Sequence, residues 1–184
     1  MANRAYLYAQ KGEELLGIAE YNYDIPIAFK ILLSAKTKRV RSKIFKYPFK
    51  IALRGDFEEG VERLYAFLEE LKNKKYFEEE ELEKEISATK AFLEKKEGCK
   101  YFQLEATEIY EMDSIFWQWN NWKMKKRISK INKEIADFYV QMDELKREHD
   151  KLCNKGADSE QLNKIKEDMM GKIGIREWSE YLFY

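Results

Sequence analysis

The sequence lacks any long apolar stretch. No run approaches the roughly 18 consecutive apolar residues that a membrane-spanning helix requires. Residues Met1 to Arg4 lead into a short tyrosine-rich run, and not into the apolar core of a secretory signal. We therefore expect no association with a membrane and a cytoplasmic location.

Cysteine and histidine are scarce. The chain has two cysteines, Cys99 and Cys153, and one histidine, His149. Two isolated cysteines indicate reduced thiols in an intracellular protein, and together with one histidine they do not supply the usual ligands of a structural zinc site. The glycine-rich phosphate loops and the GxSxG nucleophile turn are also missing. The sequence thus predicts no metal site, no cofactor and no catalytic residue.

Carboxylates are abundant, and four of them follow one another closely: Glu105, Glu108, Glu111 and Asp113. A pair of carboxylates can perform acid–base chemistry only where its surroundings push the two pKa values apart. The simpler interpretation is the solvated face of a strand. A deep pocket lined by Glu105, Glu108, Tyr110 or His149 would favour an enzyme, which we otherwise do not expect.

The composition predicts one domain with a substantial core, because 45% of the residues are apolar and 37% are charged. Alternating patterns predict strands near 3–10, 15–23, 49–54 and 100–111. Helical spacing predicts a short helix after Pro26, one capped by Asp56, and one near 79–96. The predicted class is α+β, with a three- or four-stranded sheet covered by helices. We divide it into an α+β body (1–112), a helical hairpin (113–172) and an apolar tail (173–184) that docks on the body.

The most regular pattern runs from Trp117 to Leu152, where apolar residues recur every three or four positions without an intervening proline or glycine. It predicts one rod of roughly 54 Å, capped by Asp113 or Ser114. Gly156 ends this helix, and a return helix capped by Asp158 folds back antiparallel. A rod of this length exceeds the diameter of the domain, so we expect it to bend near Asn120 and Asn121 or to be covered by another helix or another molecule. Because the return helix is half as long, part of the apolar stripe, which we call the seam, must face something else, including a second copy in a homodimer through the long helix.

Charge is neutral overall but strongly segregated. Nine cations and no acid lie between 25 and 55, and six cations and no acid lie between 114 and 133. The second block is interleaved with tryptophans, and cations mixed with aromatic rings are typical of grooves for single-stranded nucleic acid. The candidate anion-binding or nucleic-acid-binding residues are Lys36, Lys38, Arg39, Arg41, Lys43, Trp119, Trp122, Lys125, Lys126 and Arg127.

The segment between the two basic blocks is acidic, with twelve acids against five cations from 56 to 85. An acidic helical face is a candidate surface for binding another protein. The candidate protein-binding residues are Glu69, Glu70, Glu78, Glu79, Glu80 and Glu81. Our leading hypothesis is a non-enzymatic protein-binding module of the immunity or antitoxin kind. Nucleic-acid binding through 30–54 and 123–133 is the alternative, and mutual neutralisation of the blocks within the chain remains open.

The opening residues Met1 to Tyr8 (MANRAYLY) resemble a group of uncharacterised bacterial proteins that begin MANR-x-YLY. The segments Tyr21 to Leu32 and Gly55 to Val61 are similar to that group too, so the resemblance covers roughly the first 70 residues. It implies a bacterial, cytoplasmic protein. It implies no activity and no catalytic residue.

Overall fold

A computed structural model of the chain describes residues 3–113 and 116–182. Its class is α+β, as predicted, but the sheet has five strands and not three or four. The strands are β1 (Arg4–Lys11), β2 (Glu14–Asn22), β3 (Lys38–Val40), β4 (Ala52–Asp56) and β5 (Tyr101–Glu105). They are antiparallel and follow the order β2-β1-β5-β4-β3. The unpredicted strand, β3, has only three residues, too few to produce an alternating pattern.

Seven helices accompany the sheet in the described ranges. They are α1 (Ile27–Leu32), α2 (Phe57–Asn73), α3 (Glu79–Glu94), α4 (Thr107–Asp113), α5 (Trp117–Ile128), α6 (Ile131–Asn154) and α7 (Ser159–Ile173). Within these ranges no helix is both long and apolar enough to cross a membrane.

The apolar face of the sheet packs against α1 and α2. On this face Leu7 pairs with Leu104, Leu104 also pairs with Leu53, and Phe102 stacks on Phe57 at the start of α2. All of these side chains are buried. Burying apolar residues on alternate positions of three adjacent strands forms the main core.

The helices α1 and α2 meet backbone to backbone at Gly60. A Cβ atom built at Gly60 would lie 2.2 Å from the carbonyl oxygen of Leu32. Because any larger residue would collide with main-chain atoms, glycine is needed at this position even though it weakens a helix interior.

The prediction of one continuous helix from Trp117 to Leu152 is wrong, because the chain forms two helices there. The seam divides into α5 and α6 at Ser129 and Lys130. The predicted caps are also wrong: α5 begins at Trp117, Asp113 is the last residue of α4, and Ser114 lies outside the described residues. The break places Lys125, Lys126 and Arg127 in the last turn of α5. Cations there interact favourably with the negative end of the helix dipole. There is therefore no electrostatic reason for the helix to begin before Trp117.

The middle of the seam is covered within its own chain, whereas Ile131, Ile135, Leu145 and Leu152 are only half-buried. Ile128 and Met142 are fully buried, and Phe138 packs edge-on against Phe67 of α2. The seam position Trp117 lies outside the described side chains. A second molecule would therefore meet less apolar surface than a bare seam offers, and a homodimer through the long helix stays a prediction.

The ends of the helical hairpin agree with prediction. The side chain of Asp158 accepts a hydrogen bond from the amide of Gln161, so it caps α7. At the end of α6, the amide of Ala157 donates to the Leu152 carbonyl, and Gly156 has a φ of +71°. This is the Schellman arrangement that a glycine at this position favours.

The C-terminal segment contacts the edge strand of the sheet. Trp178 forms a β-bridge with Ala19, and its indole N–H donates to the hydroxyl of Thr89 at 2.8 Å. Its ring stacks between Phe29 and Phe92, at centroid distances of 6.5 and 6.0 Å. The predicted tail residues Phe183 and Tyr184 lie outside the described residues.

Candidate functional site

The second face of the sheet is polar but buried, which the alternating pattern alone did not predict. Glu105 is fully buried, and its Oε1 accepts hydrogen bonds from the amide of Lys43 at 3.1 Å and from Nε2 of Gln103 at 2.6 Å. Glu108 accepts from the hydroxyl of Tyr6 and from the amide of Arg4. The interpretation of Glu105 and Glu108 as solvated carboxylates is therefore wrong, because the loop after β3 and the helix α4 lie over this face.

The predicted strand to residue 111 ends early. β5 stops at Glu105, and α4 begins at Thr107. Glu105 and Glu108 consequently point to different partners and form no acid–base pair. Tyr47 donates to Glu111 at 3.1 Å, which ties the loop after β3 to α4.

Burial raises the pKa of Glu105, and the hydrogen bonds from Gln103, Lys43 and Ser42 only partly oppose that effect. A carboxyl with a raised folded-state pKa stabilises the fold below its ordinary value of 4.5. That contribution is lost as the pH rises through the folded-state pKa. The ionised side chain thus costs stability at neutral pH.

We expect the variant Glu105→Gln to gain stability relative to the natural protein as the pH rises from 4.5 towards neutrality. Glutamine keeps an acceptor for the Lys43 amide but carries no charge to bury. Urea unfolding at several pH values measures the difference, with Glu62→Gln on the exposed side of α2 as the control. A difference that stays constant with pH would contradict an ionisable, buried Glu105.

The acidic candidates are largely engaged within the chain. Glu69 forms ion pairs with Lys72 and Lys90, and Glu81 pairs with Arg176 at 2.6 Å. Three of the candidates (Glu79, Glu80, Glu81) occupy the first turn of α3, where negative charge stabilises a helix. Glu70 lies beside the Tyr139 hydroxyl and raises its pKa, second to burial. Glu78 precedes α3 and is exposed.

The basic candidates divide into paired and unpaired groups. Lys36 pairs with Asp56 and Glu59, and Lys43 pairs with Glu13. Arg127 of α5 donates two hydrogen bonds to the Glu134 carboxylate of α6, and these connect the two helices. The same hydrogen bonds raise the pKa of Arg127. The remaining cations form no ion pair with any described acidic residue. In the two basic blocks these are Lys38, Arg39, Arg41, Lys46, Lys50, Arg54, Lys123, Lys125, Lys126 and Lys130.

The fold brings the two basic blocks together. Helix α5 packs beside β3 and β4, and the side chain of Asn121 donates to the carbonyl of Lys50 at 3.1 Å. The loop that follows β3 is thereby fixed against α5. Segments more than 70 residues apart in sequence thus contribute cations to one end of the molecule.

The outward face of α5 carries two stacked tryptophans. The rings of Trp119 and Trp122 lie 4.7 Å apart, with 54% and 39% of their surface exposed. The ammonium of Lys123 lies 5.8 Å from the Trp119 ring and that of Lys126 lies 5.3 Å from the Trp122 ring. We call these four residues, with the cations Lys38, Arg39, Arg41, Lys46 and Lys50, the aromatic–basic surface.

Exposed aromatic and apolar side chains concentrate around this surface. Among the described residues nine large apolar side chains are exposed, and all except Val140 and Tyr181 lie on or beside α4 and α5. Such a concentration exceeds the scattered exposure of an ordinary surface and indicates a binding site. The seven are Tyr23, Tyr47, Phe49, Met112, Phe116, Trp119 and Trp122.

A cavity of about 290 Å³ lies next to the aromatic–basic surface, between α4, α5 and the turn after β2. Lys123 belongs to both the cavity wall and the surface. The other polar groups of the wall are Asp24, Tyr110, Asn120 and Arg127. Tyr110 is one of the residues whose presence in a pocket would favour an enzyme, and it lines this cavity. The position of the cavity was not predicted, because its residues come from three separate segments and none of them forms a recognisable motif.

The model of a domain family of unknown function, DUF7822, matches residues 5–147. The chain belongs to the DUF7822 family. No curated protein and no solved structure matches the sequence. The DUF7822 match extends from β1 into α6, so it contains the complete aromatic–basic surface and the neighbouring cavity. Helix α7 and the tail lie beyond the matched residues.

Within residues 3–113 and 116–182, no group of three or more histidine, cysteine, aspartate or glutamate residues is placed to bind a metal ion. His149 lies on α6 with its Nδ1 3.7 Å from Sγ of Cys153 and 3.6 Å from the Asp150 carboxylate. Both cysteines are free thiols. In this DUF7822 protein the stacked tryptophans and the cavity both lie at the α4–α5 end.

Proposed function

We propose that this protein is a binding protein, without catalysis of its own, whose aromatic–basic surface binds single-stranded nucleic acid. The observation that carries the proposal is the stacked pair Trp119–Trp122 with a lysine ammonium beside each ring. Bases stack on exposed aromatic faces while neighbouring cations contact the phosphates, which is how sequence-tolerant single-strand binding works.

The kind of cation favours nucleic acid over protein as the partner. In the two basic blocks, seven of the ten cations without an acidic partner among the described residues are lysines. Lysine is depleted at protein–protein interfaces, whereas phosphate contacts are commonly made by lysine. Their charge is not neutralised by neighbouring carboxylates, so it is available to displace the counterions of a phosphate backbone.

The aromatic rings favour a single strand over a duplex. Indole rings have broad apolar faces and only one N–H, so they suit stacking on unpaired bases and not the reading of paired base edges. Trp119 and Trp122 project from one short helix, and the loop after β3 lies alongside. Together they form a strip on which two or three nucleotides can lie.

A protein partner is the second candidate, and it takes up the hypothesis of an immunity-like or antitoxin-like module. The observation in its favour is that Tyr23 and Met112 line the cavity and are exposed, with Trp119 exposed on the neighbouring surface. Aromatic and methionine side chains beside a pocket are typical of interface hot spots. Given the cations around them, the partner surface would be acidic.

The test is fluorescence anisotropy with labelled 15-nucleotide single-stranded DNA and RNA and a duplex of equal length, from 25 to 300 mM salt. We expect preferential binding of the single strands, with a slope of log K against log salt of roughly −2 to −4 for three to five phosphate contacts. Stacking should also quench tryptophan fluorescence. Absence of binding at 25 mM salt would refute the proposal and leave the acidic protein partner as the candidate.

A further inference from the structure

Two cations face each other at the β3 edge of the sheet. Lys38 of β3 is paired directly with Arg54 of β4, so the two side chains lie on the same face of the sheet. Lys38 is exposed and Arg54 is half-buried. Like charges at directly opposite positions of an antiparallel pair repel each other and destabilise it. An anion held between the two side chains would turn this repulsion into attraction.

The acid closest in sequence to this pair of cations is already used. Neither Lys38 nor Arg54 forms an ion pair with an acidic residue of the described ranges. Asp56 lies two residues beyond Arg54 on the same strand. Its carboxylate accepts from the amide of Glu59 as the cap of α2, and it pairs with Lys36 at 3.2 Å. Asp56 therefore does not neutralise the two facing cations.

The guanidinium of Arg54 is held in place by an aromatic ring. Its central carbon lies 4.3 Å from the centroid of the Tyr101 ring on the neighbouring strand β5, and Tyr101 is half-buried. Cation–π attraction of this kind restricts the side chain before any ligand binds. The planar group has five N–H donors, and two of them match two oxygens of one phosphate. Because the side chain is already ordered, binding a phosphate costs less conformational entropy.

The pair of cations continues the aromatic–basic surface. Lys38 belongs to that surface, and α5, which carries Trp119 and Trp122, packs beside both β3 and β4. The strand β3 has three residues and so spans roughly 10 Å. We therefore expect a single strand that lies on the tryptophans to reach Lys38 and Arg54 within a few nucleotides.

We infer that Lys38 and Arg54 together bind one phosphate group, at a site separate from the stacked tryptophans. The inference rests on the proposed function, because the single strand on the aromatic–basic surface supplies the phosphate. Arg54 donates to two of the phosphate oxygens, and the ammonium of Lys38 contacts the same group from β3. A free phosphate ion has the same chemistry and is the other source that the experiment must distinguish.

The test compares labelled oligo-dT of three and of ten nucleotides at 50 mM salt. Fluorescence anisotropy measures the longer strand, and quenching of tryptophan fluorescence follows the shorter one, which covers only the tryptophans. We expect the double variant Lys38→Gln and Arg54→Gln to bind the longer strand about tenfold more weakly than the natural protein. Its slope of log K against log salt should be about 0.7 shallower, because one phosphate contact is lost. Its affinity for the shorter strand should stay within twofold.

The matched control is the double variant Lys84→Gln and Arg147→Gln, which removes one lysine and one arginine from exposed positions on α3 and α6. It should bind both strands as the natural protein does. Thermal unfolding verifies that each variant is folded. If the double variant at the sheet is not folded, Lys38→Gln alone decides, with an expected loss of about threefold for the longer strand only.

An unchanged affinity for the longer strand, or equal losses for both strands, overturns the phosphate site while the proposed function stands. If no strand binds, the proposed function fails, and inorganic phosphate decides the site. A thermal midpoint that phosphate raises above its value in chloride of equal ionic strength, in the natural protein and not in the double variant, would then support a site for free phosphate. Equal midpoints in the two salts would overturn the site as well.

Discussion

Reversing two charges of the aromatic–basic surface, in the double variant Lys123→Glu and Lys126→Glu, is expected to weaken binding of single-stranded nucleic acid about 100-fold at 50 mM salt. Each lysine is placed to contact a phosphate beside a tryptophan ring. Loss of a phosphate contact lowers affinity by roughly tenfold, and the new carboxylate repels the backbone. The slope of log K against log salt should become about 1.4 units shallower, because two contacts are lost at roughly 0.7 each.

The matched control is the double variant Lys151→Glu and Lys164→Glu. It changes the net charge by the same amount, and both lysines are exposed on the helical hairpin, outside the aromatic–basic surface. Its affinity should stay within about threefold of the natural protein. Equal losses in the two variants would mean that only overall charge matters, which would refute a localised site.

The variant Trp178→Ala is expected to lose about 3 kcal/mol of unfolding free energy, the lower end for removal of a packed aromatic side chain. The indole fills the space between Phe29 and Phe92 and donates the hydrogen bond to Thr89. For a domain of this length, that loss lowers the thermal midpoint by roughly 6–12 °C. Differential scanning calorimetry or circular dichroism on heating measures it.

Tyr181→Ala provides the comparison, because this side chain is 86% exposed three residues further along the same segment. We expect its unfolding free energy to change by no more than about 0.5 kcal/mol. If both variants unfold at the temperature of the natural protein, the C-terminal segment is only loosely attached and does not contribute to the core.

Local patterns predicted the parts of the fold that depend on neighbouring residues. Asp56 and Asp158 cap their helices because an aspartate just before an apolar helical pattern offers an acceptor to amides three residues on. The break at Ser129 and Lys130 was not predictable in this way. The apolar spacing continues through it unchanged, so no local pattern marks the break.

The candidate site was predicted in part. The basic blocks and the tryptophans were visible as composition, but their convergence depends on α5 packing beside β3, an element too short to detect. The alternation around Glu105 correctly placed its side chain on the second face of the sheet. Whether that face is exposed to solvent depends on the position of the loop after β3. The contact between this loop and the sheet is long-range, so no local sequence pattern predicts it.

The close approach at Gly60 has a consequence for engineering the protein. A procedure that raises stability by replacing helical glycines with alanine would choose this residue first, since it lies inside a 17-residue helix. The Leu32 carbonyl fills the space that the added methyl group requires. Such a replacement would push α1 away from α2, and the turn before α1, which forms one wall of the cavity, would shift with it. We therefore expect an alanine at Gly60 to alter the shape of the cavity at the other end of α1.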